Sequence, residues 1–454
     1  MPKIHFIAIG GSAMHNLAIA LHKKGYTVSG SDDEIFEPSK SRLAKYNLLP
    51  VKEGWDENLI GSSLDAVILG MHARADNPEL LKAQQLGLKV FSYPEFLYEQ
   101  SKNKLRIVIG GSHGKTTITS MILHVLNFHR IECDYMVGAQ LEGFDVMVKL
   151  TESAPYMILE GDEYLTSPID RRPKFHVYMP DIALISGIAW DHINVFPTLE
   201  NYIEQFRIFA SMVSDDGSLI YCNEDEILKN LCENLETKIK KNPYSFPEYK
   251  ISEGVTYVYS DTGIFPLKIF GRHNMLNLNG ARLVCNKLGV DDDKFYDAMR
   301  LFRGASKRLE LVEKNKHTHV YKDFAHSPSK LLATTQAVKE QFPERRLTAC
   351  LELHTFSSLT SEFLKEYKGT MRYADTACVY FNPRTIEHKK LPPVTEEQVK
   401  QAFDRNDIIV YTDSNKLVDD LLKMDWHNKN LLLMSSGNFD GINFSELARL
   451  TLRK

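Results

Sequence analysis

Seven residues, Gly111-Ser112-His113-Gly114-Lys115-Thr116-Thr117, have the types and spacing of a phosphate cradle. Glycines let such a loop turn its backbone N–H groups inward, and a helix start behind it adds partial positive charge. Lys115 can then reach β- and γ-phosphate oxygens, and Thr116 offers a hydroxyl to Mg²⁺. Glu160, opening the run Glu160-Gly161-Asp162-Glu163, is an oxygen ligand of the kind that hard cation prefers. Asp191-His192 could add a ligand, although a single histidine is more often a hydrogen-bonded structural residue. Further on, Phe270-Gly271-Arg272-His273-Asn274 reads as a helix start, Arg308 follows Lys307, and Asp323-Phe324-Ala325-His326 is followed by Pro328, each only suggestive singly.

A phosphate loop needs a strand before it and a helix after it. Leu105 to Ile109 is an apolar β-like run, and Ile118, Met121, Ile122 and Val125 recur at helical spacing. Tyr156–Leu159 and Ile182–Ile185 read as buried parallel strands. In open α/β sheets, sites lie beyond the carboxyl ends of strands, which is where the acids and the histidine fall.

Upstream, residues 3–9 form an apolar strand followed by Gly10-Gly11-Ser12-Ala13-Met14, a helix to about Lys24, and a strand leading to Gly30-Ser31-Asp32. This is a βαβ opening of dinucleotide-fold type. Ala13 and His15 break the full glycine fingerprint, which disfavours an NAD-dependent oxidoreductase. A strand at 66–69 and a helix at 78–86 continue the rhythm to a polar break at 101–104. The stretch 237–270 reads as strands and turns. Beyond Arg303, runs at 320–321, 347–351, 376–381, 408–411 and 431–434 alternate with helical stretches at 328–340 and 417–422. The expectation is an α/β chain of three domains: a Rossmann-like domain over 1–104, a P-loop domain over 105–302 and a second Rossmann-like domain over 303–454.

The bulk properties agree. A chain of 454 residues is too long for one hydrophobic core. With 43% hydrophobic and 25% charged residues it reads as globular, not disordered. A net charge of −4 gives no drive toward nucleic acid or an anionic membrane. The six cysteines form no C-x-x-C pair and read as buried free thiols of a reducing compartment. The N-terminus runs straight into a strand, unlike a signal peptide, and no apolar run reaches the length of a bilayer span. The expected location is cytoplasmic.

The order of these pieces resembles the Mur ligase family, ATP-dependent amide-forming enzymes of peptidoglycan assembly. The matching segments are GSHGKTT at 111–117, EGDE at 160–163, Asp191-His192, GRHNMLN at 271–277, FRGASKRLE at 302–310 and DFAHSP at 323–328. The resemblance implies a phosphate loop over Gly111 to Thr117. It implies one Mg²⁺ held by Thr116 and Glu160 and a second held by His192 with Glu160, adenine facing His273 and Asn274, and Arg308 and Asp323 meeting phosphate and ribose. By the same resemblance, Lys115, Glu160, His192 and Arg308 are the catalytic residues. Gly10, Gly11, Ser12, Met14 and Asp32 are the expected residues for UDP-N-acetylmuramate.

Within the family, the segments 36–39, 162–175 and 436–441 look like the recycling branch, whose acceptor is L-alanyl-γ-D-glutamyl-meso-diaminopimelate. That reading places the peptide amine near His326, His354, Ser357, Ser436, Gly437 and Asn438, with Gly437 and Gly441 permitting a tight loop whose backbone N–H groups could bind a peptide carboxylate. The chain departs from the family pattern at Ser186, Ser327 and 354–357. Other Mur ligases carry a carbamylated lysine after the Asp-His pair. Here no lysine stands between His192 and Tyr221, and Arg207 lies near the expected place, as suits the muramate-accepting branches. Two alternatives stay open. One is an L-alanine-adding ligase; the other is a non-catalytic nucleotide-binding regulator on the same scaffold.

Overall fold

The computed structural model describes residues 1–140, 143–144, 146–190, 195–305 and 308–453. The chain divides into two compact units. One comprises Met1–Phe246 with Leu276–Met299, and the other Pro247–Met275 with Arg300–Lys454. The helix Arg272–Lys287 therefore begins in one unit and ends in the other. Segment 247–275, placed by sequence within 105–302, groups with the C-terminal unit.

The first unit contains two parallel sheets. In the N-terminal sheet the strands run Thr27–Ser31, Lys3–Ile7, Ala66–Leu69, Val90–Ser92, all parallel. Phe6, Ile7, Val67 and Ile68 are fully buried, as a sheet covered on both faces requires. The helix Ser12–Lys23 follows the first strand directly. Helix Pro78–Gln85 is capped by Asn77 and started by proline, and helix Tyr93–Ser101 by a Ser92/Glu95 capping box.

The larger sheet runs Lys240–Tyr244, Ser218–Cys222, Ile182–Ile185, Leu105–Gly110, Tyr156–Glu160, Cys133–Met136, Val148–Lys149, parallel except at the last pair. Leu105–Gly110 sits between Ile182–Ile185 and Tyr156–Glu160. Three carboxyl ends thus converge: those leading to the phosphate loop, to Glu160 and to Ser186. The helix Lys115–Phe128 buries Ile118, Met121, Ile122 and Val125 completely, on the face its periodicity predicts.

The second unit opens with a three-stranded antiparallel sheet, Tyr249–Ser252, Val255–Ser260, Gly263–Leu267. Its main sheet runs Glu310–Lys314, His319–Asp323, Lys429–Met434, Arg346–Glu352, Thr376–Tyr380, Ile409–Tyr411, antiparallel only at its first pair. Helices Pro328–Gln341 and Glu396–Phe403 cover one face, and Ser414–Lys423 and Phe444–Leu452 the other. The edge strand Glu310–Lys314 escapes a sequence reading because its residues are mostly exposed and charged. Among the described residues, no helix is long and apolar enough to cross a membrane.

Candidate functional site

The phosphate loop is shaped by its neighbours. Gly111 has φ +128°, and a Cβ there would lie 2.1 Å from Ser186 Oγ. Gly114 has φ +81°, and a Cβ would lie 2.3 Å from Asn277 Oδ1. Both positions need glycine for backbone conformation and for space. Ser186 closes the loop by donating its hydroxyl to the His113 carbonyl. Ser112 N–H donates to Gly187 O at 3.0 Å, and Ala189 N–H donates to Ser112 Oγ at 2.8 Å. Thr117 is buried at the helix start.

Two acids meet the two working side chains of the loop. Thr116 Oγ1 donates to Glu160 Oε1 at 2.8 Å, and Gly138 N–H donates to Glu160 Oε2 at 2.7 Å. Lys115 Nζ donates to Gly111 O and to Glu163 Oε2, both at 2.6 Å. Burial pushes the Glu160 carboxyl above its usual range, against the pull of Gly138, Thr116 and Lys115. Burial also opposes the charge on Lys115. Glu163, then Asp162, outweigh it and hold the ammonium above its ordinary value. Tyr202 OH donates to Glu163 Oε1 at 3.1 Å and lies 2.9 Å from Ser112 Oγ.

Thr116 and Glu160 form an all-oxygen pair in a buried setting, which fits Mg²⁺. Among the described residues, no three His, Cys, Asp or Glu side chains form a metal cluster. Asp191 and His192 lie outside the described residues. Arg207 pairs with Glu204 at 2.5 Å on the helix Leu199–Ser211.

The N-terminal glycine loop is tied to Asp32: Gly10 N–H donates to Asp32 Oδ2 at 2.6 Å. Burial, then Asp33, raises the Asp32 carboxyl to about 6, against the Gly10 bond. Ser12 begins the helix behind Gly11. Met14 is only 5% exposed, and a Cβ at Gly11 would lie 3.4 Å from its side chain.

In the second unit, Asp323 Oδ2 accepts Leu309 N–H at 2.6 Å, and burial raises its carboxyl to about 6. Arg308 lies 5.3 Å over the Phe324 ring. Burial, then Arg308, lowers His273 to about 4, leaving a neutral imidazole at neutral pH. The Asn274 amide donates to Phe270 O at 2.8 Å and caps its own turn. His326 Nδ1 is 2.9 Å from Phe324 O.

Neighbouring strand ends of this unit bring His354 and the 435–439 loop together. Glu352 is buried; its Oε2 accepts the Ser435 hydroxyl and, at 2.8 Å, the Phe439 N–H. His354 Nδ1 lies 3.5 Å from Glu352 Oε1. Ser357 and Asn438 are exposed, and Ser436 and Gly437 partly so. The Gly437 N–H donates to Ser435 Oγ at 2.6 Å and the Gly441 N–H to Asn438 Oδ1 at 3.0 Å, so both are spent inside the loop.

Sequence reasoning missed Glu163, Tyr202, Ser186, Asn277 and Glu352. Glu163 stood in a quoted motif. Asn277 closed the segment 271–277 and Ser186 stood out as a departure from the family pattern, whereas Tyr202 and Glu352 had no signal beyond a polar residue on a helix or near a strand end.

Three family models cover most of the chain: "Mur ligase family, catalytic domain" over 3–104, "Mur ligase middle domain" over 109–285 and "Mur ligase, glutamate ligase domain" over 307–437. The UDP-N-acetylmuramate–L-alanine ligase of Desulforamulus reducens is 30% identical over 82% of this chain and 81% of its own. Two solved structures share the fold. The murein peptide ligase of Psychrobacter arcticus has a TM-score of 0.64 at 21% identity, covering 100% of this chain and 98% of its own. The UDP-N-acetylmuramate–alanine ligase of Thermotoga maritima has a TM-score of 0.70 at 19% identity, covering 100% and 99%. With its phosphate loop, its paired acids and its α/β domains, the chain belongs to the Mur ligase family of ATP-dependent ligases that form amide bonds.

Proposed function

We propose that this ligase joins UDP-N-acetylmuramate to the amine of L-alanyl-γ-D-glutamyl-meso-diaminopimelate, in peptidoglycan recycling. The muramate carboxylate attacks the ATP γ-phosphorus. An O–P bond forms, the β–γ bridge breaks, and ADP and an acyl phosphate result. The peptide amine then attacks the acyl carbon, sheds a proton and expels phosphate. Phosphoryl transfer asks a protein mainly for positioning and neutralised charge.

The observation that carries this reading is the pairing of Lys115 with Glu163 and of Thr116 with Glu160 at the centre of one sheet. It puts a cation on the phosphate loop and a pair of oxygen ligands between that loop and the neighbouring strand end. Lys115 would hold β- and γ-oxygens. Thr116 and Glu160, with His192, would hold Mg²⁺, which neutralises phosphate charge when bound. Gly10, Gly11, Ser12 and Asp32 would receive the UDP-sugar. His273, Asn274, Arg308 and Asp323 would serve the nucleotide, and His326, His354, Ser357, Ser436 and Asn438 the acceptor. The roles proposed for 1–104, 105–302 and 303–454 are donor, ATP and acceptor binding.

The peptide as acceptor is supported by the recycling-type segments 36–39, 162–175 and 436–441. L-Alanine is the second reading, favoured by the relatives that are UDP-N-acetylmuramate–L-alanine ligases. Phosphate release from ATP with UDP-N-acetylmuramate and a panel of amines decides. Tripeptide turnover well above L-alanine turnover supports the first reading, and the reverse replaces it with the second.

A further inference from the structure

The two acids of the 160–163 segment are not equivalent. Glu160 faces the metal-binding hydroxyl of Thr116 and takes a backbone N–H from Gly138. Glu163 faces the phosphate-binding ammonium of Lys115. Its side chain is 1% exposed, and its second oxygen accepts the hydroxyl of Tyr202, itself fully buried on the helix Leu199–Ser211. Tyr202 in turn meets Ser112 of the loop, whose hydroxyl receives the Ala189 N–H. A closed relay thus runs from the loop lysine through Glu163 and Tyr202 back to the loop serine.

We infer that Glu163 is the built-in counter-anion of the phosphate cradle: a positioning residue that holds Lys115 in place until nucleotide phosphate takes over its ammonium. An ammonium has three donors, and here Gly111 O and Glu163 occupy two of them. Phosphate oxygens entering the cradle compete for the same group. A buried carboxylate beside them repels their charge, and little water is present to screen it. Glu163 therefore weakens nucleotide binding while fixing the lysine that serves the transferring phosphoryl group. Tyr202 keeps the carboxylate aimed at Lys115. The inference rests on the proposed roles of Lys115 and Thr116.

The test is calorimetric titration of the full chain with ADP, without Mg²⁺, alongside steady-state ligation. Glu163→Gln keeps the shape and removes the charge. It is expected to bind ADP about tenfold more tightly and to lower kcat about tenfold, with the Mg²⁺ requirement unchanged. Tyr202→Phe keeps the charge and loosens its aim, so kcat falls several-fold with ADP affinity unchanged. Weaker ADP binding by Glu163→Gln marks a merely structural residue and overturns the inference. A several-fold higher Mg²⁺ requirement makes Glu163 a metal-site group and overturns it too. So does equal tightening in both variants, because charge is then not the cause. If Glu163→Gln does not fold, Tyr202→Phe decides through the same two readouts: unchanged ADP affinity with reduced kcat supports the inference, and altered affinity overturns it. A wild-type chain that binds no ADP at all overturns the phosphate-loop reading first and this inference with it.

Discussion

The phosphate loop and the proposed acceptor edge are both built at the carboxyl ends of parallel strands, yet they are finished differently. At the phosphate loop every working side chain is already engaged: Lys115 with Glu163, Thr116 with Glu160, Ser112 with Tyr202. The partners are two buried acids and a buried tyrosine, so the geometry is set before any substrate arrives. At the proposed acceptor edge a buried carboxylate, Glu352, pins the loop at Ser435 and Phe439. The residues that would meet a ligand, Ser357 and Asn438, are exposed. The contrast separates shared chemistry from variable specificity. A loop whose serine, lysine and threonine already have partners tolerates little change there, whereas an exposed edge can be refitted without disturbing the core.

If the phosphate loop is the catalytic end, Lys115→Ala should cut ligation by about a thousandfold or more. The fold should survive, at some cost for leaving Glu163 buried without its cation. Near-normal turnover in a folded variant would dissolve the contrast. Glu160→Gln should lower turnover about a hundredfold and raise the Mg²⁺ needed for half-maximal rate, read by metal titration. An unchanged titration curve would make Glu160 structural. Gly111→Ala tests whether the loop's shape is fixed by its neighbours. The new methyl meets Ser186, so an activity loss of about tenfold or more is expected, with ATP affinity falling in step. A silent substitution would show a cradle that adapts.

At the acceptor edge the expected effects are smaller and one-sided. Ser357→Ala and Asn438→Ala should each raise the KM for the peptide acceptor several-fold and leave the KM for ATP alone. A parallel rise in both constants would mean that the edge is not a separate site.

The smallest effect concerns Asp323. Its carboxyl lies at about 6 in the folded chain, against 3.8 as the ordinary value, so the folded state holds a proton that the unfolded chain releases. Stability from this group is present at acid pH and lost as pH rises through that interval. Asp323→Asn should gain on the wild type across the same window, by a few °C in Tm, and then level off. A difference that is flat between pH 4 and 6.5 would remove Asp323 from the pH response.

Much of this was readable in the chain. The runs 66–69 and 182–185 have the bounds expected of them, because buried parallel strands are short unbroken apolar stretches. Lys115, Thr116 and Glu160 were legible because cradle chemistry needs those types at a strand end. The strand Glu310–Lys314 was not legible, since an edge strand answers to its neighbour's hydrogen bonds and not to burial. Nor was Glu352, whose role depends on a loop more than eighty residues away.

By itself, the sequence determined which residues carry charge and hydroxyls, which loops can turn tightly, and that the strands alternate with helices. The tertiary structure alone decided which acid faces which loop side chain. Glu160 and Glu163 are three residues apart in one motif. Only the order of the sheet, with Leu105–Gly110 between Ile182–Ile185 and Tyr156–Glu160, and the packing of Tyr202 give one to Thr116 and the other to Lys115. The same holds for the glycines of the 436–441 loop. Their backbone N–H groups are fixed by covalent chemistry, but whether those groups are spent or offered is settled by Ser435 and Asn438, because a polar group inside a tight loop takes the partner within reach.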